Sequence, residues 1–256
     1  MIRLFTTIYP EQDNQRLSEY SKCLELNSAC GSIDEIYILS EGGEKILPVN
    51  DKFKIYRVSN RPTYQDYFNL ISQLANDDDI SIVSNTDIFF SDHLKFFTHW
   101  LMPKDTVFAL SRWDYKRNVS PRLYDHNDSQ DTWILRGIPR GIDGDFPVGV
   151  PRCDNRIASE FEKAGYCVLN PSFSLRCYHI HDRLTGPYLD SGHSVKIPPP
   201  YKYVWPHNLF GLWRTLLHNL IHPDSQLYWR FDRRKFAQWL PVRILMKIPK
   251  ILSARG

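Results

Sequence analysis

The chain has 256 residues, 42% of them hydrophobic and 14% aromatic, and a formal net charge of +3. That length fits one large domain or a domain with an appendage, and the composition supplies a sizeable core, which excludes a disordered or low-complexity protein. No stretch offers the ~18 uninterrupted apolar residues of a spanning helix, no repeat recurs at a fixed period, and five cysteines without metal-type spacing read as reduced thiols of a cytosolic protein.

The opening MIRLFTTIYP lacks the charged and long apolar regions of a leader and reads as a strand over 2–9. Residues 13–30 have helical spacing, with Leu17, Tyr20 and Leu24 on one face, and Gly31-Ser32 ends the helix. Strands follow at 33–40 and 53–59, separated by a loop over 41–51. Thr63 to Asp66 resembles a capping box, with Asp in the fourth place, and opens a helix that turns Phe68, Ile71 and Leu74 inward. The run ISIVSNTDIFF then gives a strand over 80–84 that ends near Asp87. Ser91 or Asp92 is expected to cap a helix through Leu101, with Leu94, Phe97 and Leu101 inward. Alternating strands and helices imply a mostly parallel α/β sheet, in which ligands bind beyond the C-terminal strand ends. Asp87 sits at such an end, so it holds a metal or a ligand, caps the next helix, or is a satisfied turn acid.

After the strand 107–114 the sequence turns polar until about Phe146 and reads as one long loop, of the kind that usually carries function. Asp128, Asp131 and Trp133 lie in it, either as solvated loop residues or as ligand contacts. Regular structure resumes at a helix begun by Asp154 or Asn155, with Ile157, Ala158 and Phe161 as its stripe and Gly165 at its end. Two strands, YCVLN and FSLRCYHI, complete this region. On a strand, His179 and His181 are two apart and share a face.

Two runs together resemble the GT-A-fold, nucleotide-sugar-dependent glycosyltransferases, especially the large family 2. The first is ISIVSNTDIFF, with Asn85 and Asp87 at the two acidic places of an Asp-x-Asp signature. The second is CDNRIASEFEKAGYCVLNPSFSLRCYHIH, with Asp154, Gly165-Tyr166, Pro171, His179 and His181 in the family's order. The resemblance covers about residues 2–182. It implies a GT-A, Rossmann-like sheet, an inverting transfer with Asp154 as the base, and a divalent ion, Mn2+ or Mg2+, held by Asp87 with His179 or His181. Either histidine could instead bind phosphate if charged. It also implies donor contacts from Arg61, Tyr64, Asp66, Asn85, Asp87 and Arg112, with Tyr64 stacking on the base. Acceptor contacts are expected from Asp131, Trp133 and Asn155. The sequence departs from the family at Asn85, which leaves the metal site one charge short, and at Cys153, where the family has Glu.

The remainder, 201–256, is expected to be a basic helical extension of a catalytic domain at 1–200. It carries ten Lys and Arg against two Asp and Glu, or +8, while the first 200 residues carry 22 − 27 = −5. Leu209, Leu212, Trp213, Leu216, Leu217 and Leu220 form its apolar stripe. Such a segment suits an anionic membrane surface, which makes the protein cytoplasmic and peripheral, or it packs on the body. A leucine-rich stripe on an acidic body does not suit nucleic acid. The acceptor is expected to be a glycan or a lipid-linked one, in surface polysaccharide synthesis. A nucleotidyltransferase and a non-catalytic sugar-binding module at the membrane are the alternatives, the former weakened because TTIYPEQDNQR is not a Gly-rich phosphate loop.

Overall fold

The computed structural model describes residues 1–116, 118–180 and 196–209, apart from the side chains of 99 and 100. Strand β1 (Ile2–Ile8) leads to helix α1 (Asn14–Ala29), which Asp13 caps by accepting from Gln15 N and Arg16 N. Strands β2 (Glu35–Ser40) and β3 (Phe53–Arg57) follow. Helix α2 (Tyr64–Leu74) opens with a complete capping box between Thr63 and Asp66. Strand β4 (Ile80–Ser84) is followed at once by the short β5 (Ile88–Phe90) and by α3 (Leu94–Leu101). Neither Ser91 nor Asp92 caps α3 with its side chain. His93 stands at the cap without a side-chain bond, and Asp92 instead accepts from Gly31 N at 2.8 Å.

The strand expected over 107–114 divides into two that belong to different sheets, and the expected long loop contains two further strands. Strand β6 (Thr106–Leu110) is followed by β7 (Trp113–Lys116), β8 (Val119–Leu123) and β9 (Thr132–Arg136). Helix α4 (Cys153–Lys163) and strands β10 (Cys167–Leu169) and β11 (Cys177–Ile180) complete the order. The main sheet runs β10-β6-β9-β4-β1-β2-β3. All neighbours are parallel except β9, which is antiparallel to both β4 and β6. The mostly parallel, Rossmann-like sheet expected from the sequence is therefore present, with one reversed strand at its centre.

Except at the exposed edge strand β3, both faces of this sheet are covered, so its strands are largely apolar on both sides and their alternation separates two cores. Leu4, Ile38, Ile82, Phe108 and Ile134 pack with Leu24 of α1. Phe5, Leu39, Val83, Val107 and Trp133 pack with Ile71 of α2 and Ile157 and Phe161 of α4. A second sheet, β5-β11-β7-β8, stands beside the C-terminal ends of the main strands. Its inner residues Ile88, Phe90 and Cys177 join the α1-side core.

Residues 201–209 are not helical; they run irregularly against the body. Lys202 N donates to Asn155 O at 2.9 Å, Val204 N to Asn127 O at 2.9 Å and His207 N to Asn170 O at 2.9 Å. The body thus continues past residue 200, and the rest of the anticipated helical extension, with all of its stripe beyond Leu209, lies outside the described residues. Among the described residues no helix is long and apolar enough to cross a membrane. The five cysteines are free thiols.

Candidate active site

Strand β4 is apolar through Val83 and delivers Ser84, Asn85, Thr86 and Asp87 at its C-terminal end. Ser84 ties that end to the start of β9, with Oγ 2.8 Å from Thr132 Oγ1 and donating to Asp131 O at 3.1 Å. The chain then leaves the main sheet to become β5. Strands β5 and β7 flank β11, and their register sets His179 opposite Ile88 and Asp114. This joint between two sheets brings three groups together: His179 Nε2 lies 3.2 Å from Asp87 Oδ2, and Nδ1 lies 3.6 Å from Asp114 Oδ1. No helix begins at Asp87, so the capping alternative falls away.

Burial works against a charge on His179, but the carboxylates on its two ring nitrogens raise its pKa to about 9. Burial likewise pushes both acids upward, and here the imidazolium prevails: Asp87 and Asp114 are held below the usual carboxylate range, Asp114 with help from Arg112. Arg112 extends the network. Its Nε lies 3.1 Å from Asp114 Oδ1, its Nη1 3.3 Å from Asp131 Oδ1, and its guanidinium 4.3 Å from the Tyr124 ring centroid. Asn85 Nδ2 donates to the same Asp131 oxygen at 3.1 Å.

Across from this network stands Asp154. Arg152 precedes α4 in a left-handed conformation, φ 75°, so the helix proper starts at Cys153 and Asp154 falls in its first turn rather than at its cap. Its Oδ1 accepts from Tyr64 Oη at 3.4 Å and from Cys153 Sγ at 3.4 Å. Burial, with the nearby charge of Asp131 second, raises Asp154 to about 7 in spite of these donors. Such a carboxylate is half ionised near neutrality, as a general base needs to be.

Beside the network, at Asn85 and Asp131, lies a small open cleft of ≈ 20 Å³, lined also by Thr7, Tyr64, Gln130 and Trp133. It sits at the C-terminal ends of β1 and β4, where this class of sheet binds ligands. Two of its lining side chains hold buried polar atoms without a hydrogen-bond partner, Trp133 Nε1 and Gln130 Oε1. Gln130 Nε2 donates to Val204 O at 3.3 Å, so the amide cannot be flipped to satisfy its oxygen. Asp87 Oδ1 is a third buried atom without a partner. Buried polar atoms left unmet are rare, and a cluster beside a cleft fits a ligand.

The structure thus gathers Asn85, Asp87, Arg112, Asp131 and His179 in one network, with Tyr64 and Trp133 lining the cleft beside it and Asp154 hydrogen-bonded to Tyr64. Other expectations need correction. Trp133 belongs to the central strand β9, not to a loop, and is buried with its ring 5.7 Å from Phe161. Tyr64 has no open face for a nucleobase, because its ring packs between Phe146 and Phe68 and only the hydroxyl reaches Asp154. The Asp66 carboxylate is engaged by Thr63 N at 2.8 Å and Thr63 Oγ1 at 2.9 Å in the capping box. Asn155 is fully buried and anchors residue 202. Arg61 clamps the approach to α4, donating through Nε to Val148 O at 2.8 Å. Gly149 there has φ 68°, a left-handed conformation that favours glycine. His181 lies outside the described residues. Arg112-Trp113-Asp114 reads in the sequence as a strand-end packing pair or as donor-sugar recognition, and the structure puts Asp114 in the network with Arg112 and His179.

No family model matches the chain, and no curated protein matches it. Among solved structures it is similar to the mannosyltransferase PcManGT from Pyrobaculum calidifontis in complex with GDP-Man and Mn2+, at 11% identity and a TM-score of 0.44, covering 70% of this chain and 56% of that one. It is similar to S. aureus TarS 1-349 in complex with UDP-GlcNAc, at 10% identity and a TM-score of 0.43, covering 72% and 59%. It is also similar to a 4-diphosphocytidyl-2C-methyl-D-erythritol synthase from Anaerococcus prevotii, at 14% identity and a TM-score of 0.35, covering 53% and 70%. These are distant likenesses, and the chain spans less than two thirds of the first two structures.

Proposed function

We propose that the protein is a GT-A-type glycosyltransferase that moves a sugar from a nucleotide-sugar donor to a hydroxyl acceptor, with inversion. One observation carries this reading: at the strand ends Asp87 and Asp114 are paired with His179 and Arg112 and held ionised, Arg112 also binds Asp131, and the charge of Asp131 acts in turn on Asp154, which is raised to about 7. In the reaction, the acceptor oxygen forms a bond to the anomeric carbon as the bond to the diphosphate oxygen breaks. The electron pair leaves with the diphosphate, and the acceptor's proton passes to Asp154. Arg112 is the cation best placed to meet the diphosphate, because it already holds carboxylate oxygens at hydrogen-bond distance on two sides. The acceptor is a glycan or a lipid-linked glycan in surface polysaccharide synthesis; the net charge of +8 on 201–256 supports an anionic surface as a partner.

A divalent ion, Mn2+ or Mg2+, fits the network. Asp87 Oδ1 is a buried oxygen without a partner, and three carboxylates, Asp87, Asp114 and Asp131, face two cations, Arg112 and His179, which leaves one negative charge over. Among the described residues no group of three or more His, Cys, Asp or Glu forms a metal cage, so diphosphate oxygens and water would supply the remaining positions around Asp87. Bound there, the ion would neutralise the departing diphosphate. His179, 3.2 Å from Asp87 Oδ2, would orient that carboxylate toward the ion, or would itself ligate once the ion displaced its proton.

Thermal-shift titration with a panel of UDP-, GDP- and dTDP-sugars, with and without manganese, tests the reading. A specific donor raises Tm in a concentration-dependent way, because ligand that binds only the native state stabilises it by mass action. The absence of a shift with every donor, in both conditions, contradicts it.

A further inference from the structure

The residues around Asp154 carry an assignment beyond the base itself. Tyr64 reaches it from α2 and Cys153 from the first turn of α4, and both hydrogen bonds end on the same oxygen, Oδ1. Tyr64 Oη also lies 3.9 Å from Cys153 Sγ, so phenol, thiol and carboxylate form one compact cluster. Tyr64 is 4% exposed and Cys153 3% exposed, and each is packed in the core that α2 and α4 share. Phe146 and Phe68 fix the phenol ring, at centroid distances of 5.5 and 6.4 Å.

We propose, on the reading of Asp154 as the base, that Tyr64 and Cys153 are its positioning residues: they pin Oδ1, leave Oδ2 to take the acceptor's proton, and favour the ionised carboxylate. The cluster can do this because its donors do not themselves lose protons. Burial raises both the phenol and the thiol well above their ordinary values, so each remains a donor at any pH at which Asp154 titrates. Tyr64 and Cys153 oppose the two influences that push the base upward, burial and the charge of Asp131. Arg112 neutralises Asp131 from β7's side of the cleft, the Gln130 backbone N–H favours the carboxylate from the approach to β9, and the charge of Arg152 neighbours the cluster from the start of α4 with its guanidinium on Asp128 and Asn155. A hydrogen bond to the ionised form lowers a carboxylate's pKa, so removing one raises it. A thiol in place of the family's Glu therefore puts a neutral donor beside the base, where a second carboxylate would have raised it further.

The test reads the Asp154 carboxyl directly. Full-length protein labelled with carboxyl-13C aspartate is titrated by NMR, the signal being assigned by its loss in Asp154→Asn. Tyr64→Phe is expected to move the midpoint upward by about one pH unit, and Cys153→Ala upward by less, with Cys153→Ser restoring it, since one unit is the scale of a single hydrogen bond of about 1.4 kcal/mol. The same shift is expected in the acid limb of the kcat/KM profile: Tyr64→Phe is about tenfold slower below the midpoint and close to wild type above pH 9. An unmoved midpoint in folded Tyr64→Phe and Cys153→Ala overturns the proposal. So does a rate loss equal at every pH, which marks a merely structural role. If the midpoint shifts but Asp154→Asn transfers sugar as fast as wild type, the cluster stands and the base assignment falls instead.

Discussion

The two sides of the site treat the same chemical group in opposite ways. On the side of the second sheet, Asp87 and Asp114 meet an imidazolium and a guanidinium, and burial is overcome; both stay ionised. On the side of α4, Asp154 meets only neutral donors and the charge of Asp131, and burial prevails; it is raised to about 7. Counter-charge decides the outcome, and it divides one site into a side that holds charge and a side that exchanges a proton. Asp131 belongs to both, since Arg112 and Asn85 bind it while its charge acts on Asp154.

The largest expected effects come from deleting one carboxylate on each side. Asp87→Ala should abolish donor turnover in a folded protein, because it removes both the partner of His179 and the orphan oxygen; donor binding by calorimetry should vanish with it. Asp154→Asn should cost about 10²-fold or more in turnover while keeping donor affinity. It should also stabilise the fold. A raised carboxyl contributes stability that is complete below about pH 4 and lost as pH rises through about 7, so above pH 7 the Asn variant should gain up to ~4 kcal/mol by urea denaturation.

A smaller effect tests the joint between the sides. Arg112→Ala leaves Asp131 and Asp114 without their guanidinium and should cost about 3 kcal/mol of stability by urea denaturation, the scale of a broken buried pair. It should also move the Asp154 midpoint higher, because Asp131 is then unneutralised. His179 is raised, so its stabilising contribution is complete below about pH 6.5 and lost as pH climbs through about 9. In metal-free buffer, His179→Gln should flatten that alkaline slope and leave the Asp154 window untouched. The smallest effect is at Asp66: as a capping group, its change to Ala should cost ~1 kcal/mol by urea denaturation and leave donor affinity unchanged.

The α/β half of the molecule was legible, apart from the three-residue β5, because the other strands and helices through Leu101 carry their own periodicity and punctuation. Beyond Leu110 the signal fails for a physical reason. β8 is an edge strand whose exposed positions include Val119, Ser120 and Arg122, and β9, the five residues TWILR, is flanked by polar residues that look like loop. The apolar run in β9 was the signal, and its central place in the sheet comes only from tertiary pairing. Asp87 and Asp154 stood out because they end or begin elements, His179 because it is one of two histidines two apart on a strand, and Asp114 because it follows Arg112 at a strand end. The meeting of Asp114 with His179 was not legible, since it arises from the register of β7 against β11. Tyr64 and Asp66 were assigned by position after β3, but helical geometry turns Tyr64 toward α4 and commits Asp66 to its own cap.

The most direct test measures nucleoside diphosphate released from a nucleotide-sugar panel with a mixed glycan acceptor, for wild type and Asp154→Asn, from pH 5.5 to 9. The account predicts release from at least one donor, stimulated by acceptor, with a rate that rises through about pH 7 and collapses in the variant. Release that is equal in the variant, or absent with every donor, would contradict it.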